Sequence, residues 1–158
     1  MKNNITPCLW FNKNAEEAVT FYTSVFKKSK IISTTYYGDN APMPKGTVLT
    51  IIFELNGNNF MALNGGRNFK FTEAISLMVN CETQKEIDYY WEKLSKGGAQ
   101  IECGWLKDKY GLAWQIVPSE LGKMFKHIDE KKIQRMLQAV WSMKKLDIKK
   151  IKQAFEGK

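Results

Sequence analysis

The sequence predicts an α+β protein: two successive β-α-β-β-β units followed by a basic helical extension. Three observations carry this. A short apolar stretch runs into a helical pattern twice, at Leu9-Trp10-Phe11-Asn12 and, 68 residues on, at Leu77-Met78-Val79-Asn80. Each helical pattern is followed by three strand-like segments separated by turn residues. The charge balance then changes at residue 119. Residues 119–158 hold eleven Lys/Arg against five Asp/Glu, a net +6, whereas the first 118 hold thirteen against eleven, a net +2.

The elements follow in order. Ala15, Ala18, Val19, Tyr22, Val25 and Phe26 recur at helical spacing behind Asn14 as N-cap. Strands are expected over Lys30–Tyr37, Thr47–Leu55 and Asn59–Leu63, with Asn56-Gly57 as the hairpin turn between the last two. The Gly/Pro-rich loop Gly38–Gly46 is long for a hairpin connection, which suits a lid. In the second unit Ile87, Tyr90, Trp91 and Leu94 form the helical stripe. Thr83 and Glu86 supply a capping box, and Gly97-Gly98 ends the helix. Strands are then expected at Gln100–Cys103, Trp105–Lys107 and Leu112–Val117. The units cover about 5–64 and 74–118 of a domain spanning 1–118. In the extension, 119–158, Ile133, Met136, Leu137, Val140, Trp141 and Met143 make one stripe. Asp147 caps a second helix with Ile148, Ile151 and Phe155 inward. These helices need a surface, whether the sheet, a partner subunit or something anionic.

At 158 residues and 44% apolar content the chain can bury one good core or a core with an appendage. It has no 18-residue apolar run, and Met1-Lys2-Asn3-Asn4 offers no apolar signal region, so a membrane span and a secretory route are not expected. Cys8, Cys81 and Cys103 are odd in number and widely spaced, which fits a reducing, cytoplasmic compartment.

The segment Cys103-Gly104-Trp105-Leu106-Lys107-Asp108 followed by Gly111-Leu112-Ala113-Trp114-Gln115-Ile116-Val117-Pro118 reads as two strands around a turn with Asp108 first and Gly111 fourth. It resembles the final hairpin of the vicinal oxygen chelate (glyoxalase/bleomycin resistance) superfamily, in the PhnB-like branch often labelled 3-demethylubiquinone-9 3-methyltransferase. Arg135–Phe155 also resembles an extension of that branch. The resemblance implies that the paired modules form a curved, eight-stranded mixed sheet whose concave face is a glyoxalase-like cup, and that the protein is a homodimer. Trp141 and Phe155 are fair interface anchors. In the wider superfamily four inward strand positions hold a divalent metal. Here those positions fall on Thr6, Ala62, Ala74 and Gln115, and two alanines coordinate nothing, so no metal and no cofactor are expected. The methyltransferase label gains no support from the residues, because no Gly-rich strand–helix loop for an adenosyl-type donor occurs.

Strand alternation points Thr6, Cys8 and Trp10, Ala74, Ser76 and Met78, and Ala113, Gln115 and Val117 into the cup, with Ile75, Leu77 and Val79 left for the core. With Asn64, Cys103 and Trp105, the ligand-binding set is Cys8, Trp10, Asn64, Met78, Cys103, Trp105 and Gln115. Such a lining, mostly apolar with a few fixed polar groups, suits an unidentified small organic molecule. No catalytic residues are assigned. Cys8 and Cys103 lack a histidine base, since the only histidine, His127, lies in the extension. Lys107 and Asp108 read as either an acid–base pair or a solvated hairpin end with an Asp-capped turn. The alternative function is an interaction module whose basic helices bind a protein partner or nucleic acid. Against nucleic acid, the lysines alternate with apolar anchors rather than with exposed aromatics.

Overall fold

A computed structural model of the chain describes residues 5–158. All eight expected strands are present, in two four-stranded mixed sheets, one per module. The chain forms two compact units, one ending at Lys70 and the other beginning at Phe71. Each is described by itself.

In the first unit β1 (Cys8–Phe11), α1 (Ala15–Val25), β2 (Ser29–Tyr36), β3 (Val48–Leu55) and β4 (Asn58–Asn64) give a sheet of order β1-β4-β3-β2. The β1–β4 pair is parallel and the others antiparallel. Asn56 and Gly57, with φ of 47° and 82°, make the expected tight turn; both central residues need positive φ there. Ala15, Ala18, Val19, Tyr22 and Val25 are the buried stripe of α1. The sheet answers with Leu9, Phe11, Ile51, Phe53, Phe60 and Ala62, all buried, and Phe53 and Phe60 stack with centroids 5.5 Å apart. Burying each such large side chain contributes about 1.5–3 kcal/mol, and that burial holds the helix to one face.

The N-terminus of α1 is secured differently from the expectation. Asn14 makes no side-chain capping bond. Instead the Ala15 N–H donates to Oδ1 of Asn64, 2.9 Å away, and Asn64 Nδ2 donates to the Val48 carbonyl at 3.0 Å. A residue at the end of β4 thus caps a helix 49 positions earlier and ties it to β3.

In the second unit β5 (Ser76–Cys81), α2 (Gln84–Ser95), β6 (Ala99–Gln100), β7 (Trp105–Lys107) and β8 (Ala113–Pro118) form a sheet of order β5-β8-β7-β6, parallel only at β5–β8. The Thr83–Glu86 capping box forms as expected. Ile87, Trp91 and Leu94 pack on the sheet face carrying Val79, Leu106, Trp114 and Ile116. The strand expected at Gln100–Cys103 stops at Gln100, and Cys103 and Gly104 follow in a turn with φ of 62° and 81°. Ile75, expected in the core, precedes β5 and is 76% exposed.

The extension belongs to this second unit. Helices α3 (Leu121–Met124), α4 (Glu130–Trp141) and α5 (Ile148–Glu156) gather Leu121, Met136, Val140, Leu146, Ile151 and Phe155 into a small core of their own. Asp129 and Asp147 accept backbone N–H bonds as N-caps of α4 and α5. The surface these helices required is their own module: Cys103 and Val117 pack on the helical core, and Gln84 of α2 bridges the Leu146 carbonyl and the Ile148 N–H. Phe155 is therefore buried within the chain, whereas Trp141, at 61% exposed, is not part of the buried stripe.

Candidate ligand-binding faces

Each sheet covers one face with its own α1 or α2 and leaves the other free of that helix, and strand register decides which side chains share this second, open face. In the first unit Cys8 pairs with Met61 and Trp10 with Leu63, while Thr50 and Ile52 pair with Leu63 and Met61 from the other side. These six side chains make one face, mostly apolar and partly exposed. Trp10 is fixed there: its indole N–H donates to the Gly66 carbonyl at 2.9 Å, and its ring meets Phe69 edge-on at 4.9 Å. Gly65 leaves the room for this, since a Cβ added there would lie 2.2 Å from the indole. Cys8 is exposed, and partial burial still pushes its thiol pKa up, so it is a poor thiolate.

In the second unit Trp105 and Met78 flank Gln115 from the neighbouring strands, in one cross-strand row. The next row is Lys107, Ala113 and Ser76. Gln115 Nε2 donates to Ser76 Oγ at 2.8 Å, which orients the amide across the two rows. Lys107 Nζ lies 2.6 Å from a carboxylate oxygen of Glu73, and that bond holds the Glu73 pKa below its ordinary value. The face is therefore an aromatic and a thioether side chain around an oriented amide–hydroxyl pair, with its one cation already neutralised.

Four of the seven expected ligand residues on these strands, Cys8, Trp10, Trp105 and Gln115, stand on open faces, and Met78 joins them at 56% exposed. Two do not. Asn64 is 1% exposed, shares the face of Phe11 and Ala62, and commits its amide to α1 and β3. Cys103 lies in the left-handed turn against the helical core of the extension, with its N–H on the Met143 carbonyl at 2.7 Å. Asp108 is not a solvated hairpin end. It is 2% exposed and accepts from the Tyr110 and Leu112 N–H groups and from Trp114 Nε1, at 2.8, 3.1 and 2.9 Å. It organises its hairpin.

The positions matched to metal ligands also shift. Ala62 is on the buried helix side, so the open positions of β4 are Met61 and Leu63; Thr6 and Ala74 precede their strands. None of the open-face residues of β1, β4, β5 or β8 offers the two or three imidazole or carboxylate donors that a divalent ion requires. Among the described residues, no three His, Cys, Asp or Glu side chains gather closely enough to hold a metal. The residues do not fit the metal site of the superfamily.

The model of the family described as 3-demethylubiquinone-9 3-methyltransferase matches residues 3–117. No protein of curated function matches the chain. Among solved structures, a PhnB protein from Bacillus cereus carrying the same designation is 43% identical, with a TM-score of 0.68 over 74% of this chain and 100% of that one. A Pseudomonas aeruginosa protein is 20% identical at a TM-score of 0.60, covering 72% of this chain and 96% of that one. The fosfomycin resistance protein FosX of Listeria monocytogenes, solved with Mn(II) and sulfate, shares the fold at 14% identity and a TM-score of 0.59, over 80% and 99% of the two chains.

Proposed function

Since the chain belongs to the 3-demethylubiquinone-9 3-methyltransferase family, as a PhnB-like member of the vicinal oxygen chelate superfamily, we propose that it binds a small, uncharged, planar organic molecule on the open face of its second module. The observation that carries this reading is the row Trp105–Gln115–Met78 beside the Gln115–Ser76 hydrogen bond. Spending one Gln115 N–H on Ser76 leaves the amide oxygen as an acceptor and the Ser76 hydroxyl proton as a donor, side by side. A carboxamide or a similar donor–acceptor edge matches both, while Trp105 takes the flat ring. Neutralisation of Lys107 by Glu73 argues against a carboxylate ligand.

Methyl transfer draws no support from this chain. Each sheet is mixed, with a single parallel pair, rather than the doubly wound parallel sheet whose Gly-rich turn holds an adenosyl group. Among the described residues no three His, Cys, Asp or Glu side chains gather to hold an ion such as the Mn(II) bound by the Listeria protein. No helix among the described residues is long and apolar enough to cross a membrane. We further read the protein as a cytoplasmic homodimer: its cysteines are free thiols, and Trp141 stands exposed as an anchor. Binding of nucleic acid is the less favoured reading of the extension, because the lysines of α5 alternate with the buried anchors Ile151 and Phe155, as on an ordinary solvated amphipathic face.

Saturation-transfer NMR with benzamide and benzoate tests the ligand reading. Benzamide binds the wild-type chain and benzoate binds more weakly. Trp105→Ala and Gln115→Leu each weaken benzamide about tenfold, near 1.4 kcal/mol, the worth of one good contact. Equal binding of both compounds, unchanged in both variants, refutes the reading.

A further inference from the structure

We infer that the C-terminal extension is the positioning device for Trp105, and so a built-in part of the ligand face rather than an appendage; the functional half of this rests on the reading just given. The link between α4 and α5 passes against the turn that launches β7. Its Met143 and Lys144 carbonyls accept the Cys103 and Gly104 N–H groups at 2.7 and 2.8 Å. Gly104 in turn gives its carbonyl to the Ile116 N–H of β8 at 2.7 Å.

Two consecutive residues of positive φ, Cys103 and Gly104, are held by this strap, and the next residue is Trp105. A cysteine in the left-handed region is unfavourable on its own, so tertiary contacts must hold it there. The fit is close: a Cβ on Gly104 would stand 2.7 Å from the Ile116 carbonyl oxygen and 3.0 Å from Leu146 Cδ1. The strap is anchored on its far side as well. Gln84 holds the Leu146 carbonyl at 3.1 Å and the Ile148 N–H at 2.9 Å, and Lys145 pairs with Asp88 at 2.5 Å.

The same helical core also packs on Val117, two residues beyond Gln115 and on the same sheet face. The extension therefore bounds the row next to Trp105–Gln115–Met78 and fixes the backbone from which Trp105 projects. The family model matches residues 3–117, so the strap lies beyond the matched residues.

The test uses the full chain labelled with 5-fluorotryptophan and read by fluorine NMR. Five resonances are expected from Trp10, Trp91, Trp105, Trp114 and Trp141, with Trp105→Phe assigning its own signal. Leu146→Ala, and the milder Gln84→Ala, move or broaden the Trp105 resonance and leave Trp10 in place. Both weaken benzamide at least threefold, and Leu146→Met restores both readouts. Gln84→Ala carries the comparison where Leu146→Ala does not fold. A Trp105 resonance unmoved in folded variants overturns the inference. A moved resonance in a protein that never binds benzamide sustains the strap as the positioner of Trp105 and refutes the ligand face instead.

Discussion

Replacing Asn64 by Ala separates a structural residue from a binding one. The side chain is 1% exposed, and it accepts the first N–H of α1 while donating to the Val48 carbonyl of β3. Its loss removes two hydrogen bonds of about 1 kcal/mol each and leaves a buried N–H and C=O without those partners, at about 1–3 kcal/mol where water cannot reach. Partial relaxation gives an expected loss of about 2–4 kcal/mol. In a chain of 158 residues that corresponds to a melting temperature lower by about 5–15 °C. Asn64→Asp keeps the acceptor at the helix N-terminus, where a negative charge is favoured by about 0.3–1 kcal/mol. It also faces a carboxylate oxygen to the Val48 carbonyl, so it is no rescue. Urea unfolding followed by circular dichroism supplies the stability, and benzamide titration of the folded protein supplies the function. A loss below about 1 kcal/mol, or a tenfold fall in affinity at unchanged stability, would refute this assignment.

Asp108→Ala strips the acceptor from the Leu112 N–H and the Trp114 indole N–H, both buried, and costs about 2–5 kcal/mol by thermal melting. Thiol labelling separates the cysteines. Exposed Cys8 reacts first, whereas Cys81, buried and pushed up to about 12 chiefly by desolvation with Glu86 and Glu82 adding to it, reacts only on unfolding; fast labelling of Cys81 in the native protein contradicts its placement. The carboxylates of Asp88, Asp129 and Glu156 have pKa values below their ordinary 3.8, 3.8 and 4.5, through Lys145, the Lys132 N–H and Lys132 respectively. Their contribution is present above those ordinary values and is lost as pH falls through the lowered ones. These three contacts of the extension thus weaken below about pH 4, with the effect reduced by salt because all three are at the surface. The fluorine resonance of Trp141 in the 5-fluorotryptophan-labelled chain, followed against pH, checks this.

Element order, the Asn56-Gly57 turn and the Thr83–Glu86 box were legible because each rests on local chemistry. The face of β4 was not. Met61 and Leu63 are as apolar as Phe60 and Ala62, so alternation carries no sign and a shift of one residue places Ala62 and Asn64 on the wrong side. The role of Asn64 depends on a helix 49 residues away. Cys103 was misplaced by running strand alternation through a turn whose positive φ is imposed by the Met143–Leu146 strap. The Asp108 turn was legible from Asp108 and Gly111, but its burial depends on the Trp114 indole reaching back to it.

The most direct test of the central claim is native mass spectrometry of the purified full chain, with elemental analysis of the same sample. A small-molecule adduct carried without metal, and lost in both Trp105→Ala and Gln115→Leu, is the expected result. Stoichiometric manganese, zinc, nickel or iron would contradict the account, since it would require donors that the open faces do not supply.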